Sequence, residues 1–237
     1  MEVIKSELMF PKLNSTEIAM LSTFGSERST ASSEILFDPG DTDVPVFVVI
    51  DGCLDIVRVF KKGEPLVVSH DPGEFSGEVN QLLGGPSSIR AKTKHPSRLL
   101  EIQRKDLLHI AETHSLLRPV FLSSYLLRRA YSVSSRPEES LLVGSNHSAS
   151  TLRLRVFLGR NACPYTYLDL DRDPAVQWLL DQFAVRPEEI PILICRGRIV
   201  LRNPSNAMVT SILQVEPSAD SSGSWDIEMA VFSAGGK

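Results

Sequence analysis

The sequence predicts a two-domain chain of mixed class: an antiparallel β-roll with flanking helices, followed by an α/β domain built on one helix-covered sheet. Three observations carry this. Before about Arg104, short apolar runs recur between Gly and Pro turns. From Arg104 the apolar spacing changes to three and four residues. Beyond a Ser-rich stretch at Tyr131–Ser140, strand and helix patterns alternate in the order β-α-β-α-β-β-α.

The elements follow in order. "SEILFDPGD" is a short strand entering a Pro-Gly turn, and "VPVFVVIDGCLDIVRVF" is two strands with Asp51-Gly52 as a hairpin signal between them. "KKGEPLVVSHDPGEF" gives turn, strand and turn, and "IRAKTKHPSRLLEIQ" gives two more strands. Arg104–Ala130 reads as one long helix that Pro119 breaks or kinks at Arg118. Its Leu116, Val120 and Leu127 lie near one face, and a homodimer through that face is expected. In the second half "LLVGS" and "YTYLDLD" are strands, and "STLRLRVFLGRN" is a helix. "DPAVQWLLDQFAV" is a helix started by Asp173 before Pro174. "PILICRG" and "RIVLRN" form a hairpin, and "SNAMVTSIL" closes with a helix. The expected domains are 1–133, a linker at 134–140, 141–214, and a flexible tail at 215–237.

Composition excludes several classes. The 237 residues are 42% apolar and 23% charged with a net charge of −4, which is ordinary for a globular chain and gives no electrostatic case for nucleic acid or acidic lipid. No window approaches a membrane span, and the N-terminus lacks the order of a signal peptide. Three scattered cysteines form neither a disulfide framework nor a metal set, which fits a cytoplasmic location with no metal. No nucleic acid, membrane or cofactor is expected.

The string "PGEFSGEVNQLLGG…IRAKT" resembles the phosphate-binding cassette of cyclic nucleotide-binding domains, and the likeness covers roughly residues 8 to 130. It implies a β-roll fold and a seat for a cyclic nucleotide or another small anion. Gly77 and Glu78 match the Gly-Glu pair, whose Glu takes the ribose hydroxyl in that family, with Val79, Ser87, Ser88 and Arg90 completing the candidate seat. The family's phosphate arginine falls at Gly85 or Pro86, and Arg90 is the nearest basic side chain. An Arg–phosphate pair is among the stronger polar contacts, so its loss weakens the case for a nucleotide. Glu78 reads equally as a helix-start carboxylate, and Arg90 as a solvated strand-end residue.

The second half is similar to the thioredoxin-like domain that follows a cyclic nucleotide-binding domain in a bacterial class of thioredoxin reductase-like flavoproteins. The wording carries it: "TLRLR-FL-RN--PYTYLDLDRDP", then "IP-LICRG--VLRNPSN". "CPYT" at Cys163 is one residue short of a glutaredoxin motif, but it follows the first helix instead of opening it. The redox position is instead held by "NHSAST", where Ser148 and Thr151 have the spacing of the cysteines without sulfur. His147 and Ser148 stand at that helix start as a cap, not as a catalytic pair. Pro191 matches the cis-proline of the fold, and Cys163 and Cys195 are expected to be structural. "WDIEMAVFSAGGK" resembles the opening strand of a flavin domain, without a flavin or NADPH site. The resemblance implies a ligand-sensing regulator that signals to a partner protein or reductase, or the front part of a thioredoxin-disulfide reductase system that is inactive in thiol chemistry on its own.

Overall fold

The computed structural model describes residues 6–134 and 140–213. The expected linker and the tail with its flavin-type strand lie largely outside them. The chain forms two compact units, Met1–Arg128 and Arg129–Lys237, and the division falls ahead of the expected linker.

The first unit opens with helix α1 (Ser15–Ser22). Asn14 accepts from the Glu17 N–H at 2.9 Å and Glu17 returns a carboxylate to the Asn14 N–H at 2.7 Å, a reciprocal start that satisfies two orphan donors. Strands β1 (Ser26–Thr30), β3 (Val46–Asp51) and β7 (Ser97–Ile102) make one antiparallel sheet in the order β1-β7-β3. Strands β2 (Ile35–Phe37), β4 (Leu54–Val57), β5 (Leu66–His70) and β6 (Arg90–Thr93) make a second, in the order β2-β6-β4-β5. Val46, Phe47, Val48 and Val49 are all buried, so β3 reads as a continuous apolar run instead of an alternating one.

Two expectations are corrected here. Asp51-Gly52 does not turn a hairpin: β3 pairs with β7 and β4 pairs with β5 and β6, so the dipeptide is the corner where the chain leaves one sheet for the other. The helix expected over Arg104–Ala130 is two helices, α3 (Arg104–Thr113) and α4 (Leu117–Val133). The break is at His114, whose φ of −111° and ψ of 94° are extended. Pro119 sits in the first turn of α4, where a missing N–H leaves no helical bond unmade. Of the residues expected to form a dimer face, Leu116 lies before α4 and is exposed, and Val120 and Leu127 are half-buried on α4.

The second unit has one sheet of β8 (Leu141–Gly144), β9 (Thr166–Asp169), β10 (Ile192–Cys195) and β11 (Ile199–Arg202), in the order β11-β10-β8-β9. β8 and β9 run parallel, and the other pairs are antiparallel. Helix α5 (Ala149–Arg160) is the crossover between the parallel strands, and helices α6 (Pro174–Gln182) and α7 (Asn206–Leu213) complete the unit. Leu154 and Leu158 of α5 and Val209 and Leu213 of α7 cluster with Leu142, Leu193, Cys195 and Leu201 of the sheet. Leu141, Val143, Ile192 and Ile194 alternate onto the opposite face and are equally buried. The Ile190–Pro191 bond is cis, as the resemblance implied. Among the described residues no helix is long and apolar enough to cross a membrane.

Candidate functional site

Between β5 and β6 the first unit builds the cassette from one four-residue helix, α2 (Val79–Leu82), and the turns on either side. Gly77 has a φ of +118°, and a side chain there would meet the Tyr125 hydroxyl at 2.9 Å, so only glycine fits. Glu78 follows in extended backbone. Its N–H donates to the Gln81 side chain at 3.1 Å, and its carboxylate accepts from the Ser88 hydroxyl at 3.2 Å and the Ser88 N–H at 3.4 Å. The two ends of the cassette are therefore closed by a carboxylate, a hydroxyl and an amide that face one another.

The other candidates divide. Val79 is buried and leaves only its main chain for a ligand. Ser87 is buried too: its hydroxyl accepts from Gln81 at 3.3 Å and donates to the Ile89 carbonyl at 3.0 Å, and its N–H donates to Asp41 O at 2.8 Å. It shapes the turn. Arg90 is not a solvated strand end. Its Nε donates to Asp38 at 2.5 Å and its Nη1 to Glu64, which also holds Lys92 at 2.6 Å. The Asp38 bond raises the Arg90 pKa further, and the Lys92 and Arg90 cations hold the Glu64 carboxyl below the usual range. Any anion recruiting Arg90 competes with two carboxylates.

Two arginines at the cassette were missed by sequence reasoning. Arg104, the first residue of α3, donates from Nε to the Leu82 carbonyl, and its guanidinium carbon lies 3.6 Å from the point where a Gly84 side chain would begin. Arg128 of α4 bonds the Gly77 and Phe75 carbonyls at 2.7 and 2.9 Å. Burial lowers its pKa to about 10, which leaves it charged at neutral pH. No local signal marks either residue, because both act over long sequence separations.

In the second unit the turn from β8 into α5 gathers the remaining candidates. Ser148 is the N-cap, its hydroxyl accepting from the Thr151 N–H at 3.3 Å. Replacing Ser148 by alanine is expected to cost about 1 kcal/mol in urea unfolding, and no loss would refute the capping role. Thr151 is buried against Gly144, where Pro191 also makes contact. His147 is 88% exposed, with Nε2 3.9 Å from Asp171. An acidic partner therefore does stand near it, which spacing did not reveal, but the ring is open to water. Asp171 instead organises the loop, accepting from the Ser145 hydroxyl and the Asn146 N–H, each at 2.9 Å. Asn146 also donates to Asp169 at 2.5 Å and accepts from Arg155, which lies 4.6 Å over the Tyr167 ring. The Ser148 hydroxyl serves the cap. Cys163 is half-buried against the core cluster, and burial pushes the Cys195 thiol up to about 11, which disfavours the thiolate. Among the described residues no group of His, Cys, Asp and Glu is arranged to hold a metal.

Residues 27–114 match the cyclic nucleotide-binding domain family, and the cassette lies within the matched residues. No curated protein matches the chain. Solved structures match part of the chain. One, described as "A cyclic-GMP-dependent signalling pathway regulates bacterial phytopathogenesis", is 26% identical over 46% of this chain and 89% of its own, with a TM-score of 0.40. The N-terminal domain of a transcriptional regulator from Streptomyces coelicolor A3(2) is 22% identical over 55% and 94%, with a TM-score of 0.42. A transcriptional regulator from Thermotoga maritima is 15% identical over 48% and 92%, with a TM-score of 0.43.

Proposed function

We propose that this chain is a ligand-sensing regulatory protein whose first unit seats a cyclic nucleotide, or another small anion, at the Gly77–Arg90 cassette. The observation that carries the reading is Glu78. Its carboxylate faces the hydroxyl and amide of Ser88 across the cassette, which is the donor and acceptor set that a ribose hydroxyl and a phosphate oxygen need. Arg90 and Arg104 are the cations that serve in place of the arginine absent at Gly85. The βαβαββα order of the second unit supports a thioredoxin-like domain. With serine and threonine at the redox positions, its role is to hold a protein partner and not to exchange disulfides.

Isothermal titration of cyclic AMP and cyclic GMP into the full chain tests this reading. Heat of binding is expected for at least one nucleotide, weakened on the order of tenfold or more in Glu78→Ala and in Arg90→Ala. No heat at millimolar nucleotide would overturn it.

A further inference from the structure

Arg128 is a largely buried cation that the ligand seat itself does not require. Each of its three guanidinium nitrogens donates to a different main-chain carbonyl: Nε to Met9 at 3.1 Å, Nη1 to Gly77 at 2.7 Å and Nη2 to Phe75 at 2.9 Å. The group lies 5.0 Å from the Phe10 ring centre, 4.7 Å from Phe75 and 5.8 Å from Tyr125. The Met9 carbonyl also accepts from Ser124, one turn earlier on α4, at 2.8 Å. A single side chain thus joins three segments of the first unit that are distant in sequence: the N-terminal turn, the entry to the cassette, and α4.

The consequence for the cassette follows from peptide planarity. The Gly77 carbonyl and the Glu78 N–H belong to one rigid unit and point in opposite directions. Fixing the carbonyl on Arg128 therefore aims the N–H at Gln81, which accepts it at 3.1 Å. That bond sets the start of α2 and the place of the Glu78 carboxylate opposite Ser88. Gly77 needs such a restraint more than other residues, because glycine has the widest backbone freedom. The Tyr125 hydroxyl, one turn before Arg128, closes the remaining space at its Cα.

We propose that Arg128 is the positioning residue of the cassette, linking the geometry of the ligand seat to the docking of the N-terminal turn and α4. This rests on reading the cassette as the ligand seat. Lysine cannot replace it: an ammonium is a point charge with no planar fork, and it cannot reach three divergent carbonyls while lying against aromatic rings. A neutral side chain removes the bonds to the Gly77 and Phe75 carbonyls and leaves the Met9 carbonyl with Ser124.

The test compares the wild-type chain with Arg128→Lys, Arg128→Met and Leu126→Ala. Leu126 is a buried α4 residue, so Leu126→Ala reports general loss of stability. Hydrogen–deuterium exchange is expected to rise on the order of tenfold more in both Arg128 variants than in Leu126→Ala. The rise is expected at the amides of Glu78, Gln81 and Leu82 and, together with them, at Phe10 and Leu13. Equal rises in Leu126→Ala, or unchanged cassette protection in Arg128→Lys, would overturn the proposal. Titration of the same proteins with cyclic AMP and cyclic GMP separates the two readings. Where the wild type binds, Arg128→Lys is expected to bind about tenfold more weakly than Leu126→Ala, and equal affinities reject the link to the ligand. A wild type that binds neither nucleotide removes the ligand reading, while exchange still decides the positioning role.

Discussion

Replacing Phe121 with alanine is expected to lower the stability of the first unit by about 4 kcal/mol, the cost of emptying a large aromatic from a packed core. Phe121 is 0% exposed. Its ring stands edge-on to Phe75 at 4.8 Å and stacks with Tyr125 at 6.3 Å. Phe75 lies two residues before Gly77, so the cavity opens directly beneath the cassette. Urea unfolding followed by tryptophan-independent circular dichroism reads the change. A loss below about 1 kcal/mol would show that α4 does not form part of this core. Leu116, 71% exposed, is the control: Leu116→Ser should move stability by less than about 0.5 kcal/mol.

Gly52→Ala carries the second large effect, about 3 kcal/mol, through backbone conformation and contact together. The residue has a φ of +90°, and an added Cβ would lie 2.2 Å from the Ser97 hydroxyl and 2.9 Å from the Ser97 Cα. The second of these contacts is with backbone. For that reason Ser97→Ala in the same chain should recover only part of the loss. Ser97 also accepts from the Cys53 N–H at 3.1 Å and donates to the His95 carbonyl at 2.8 Å, so its removal has a cost of its own. Thermal unfolding with an unchanged midpoint in Gly52→Ala would mean that the corner is looser than its geometry implies.

Gly52 also shows where sequence reasoning stops. Asp-Gly between two apolar runs signals a reversal, and the chain does bend there. Whether the two strands then pair depends on Ser97 and β7, about forty-five residues away. β1 was missed for a related reason. Ser26–Thr30 contains no apolar residue, because it is an edge strand with only Thr30 buried, so it carries no alternation to detect. The second unit was easier to read. Its apolar periods are long, and local signals mark its helix starts, with Ser148 before α5 and Asp173 accepting from Ala175 before α6. The candidate seat was legible as far as the Gly77-Glu78 dipeptide and Ser88. Its supports were not, because Arg128 reaches Met9 across the length of the unit, and Asp38 and Glu64 meet Arg90 only once the sheet has formed.

That meeting has a kinetic consequence. Arg90 and Lys92 are two cations, and Asp38 and Glu64 are two anions, interleaved around β6, an inner strand of the second sheet, beside the cassette. Their fields cancel within a few ångströms, well inside the Debye length of about 8 Å at physiological ionic strength. An anion approaching this cluster feels no long-range pull from it. On the proposed reading of the cassette as a ligand seat, an anion is held there by short-range contacts and close fit, with little long-range steering.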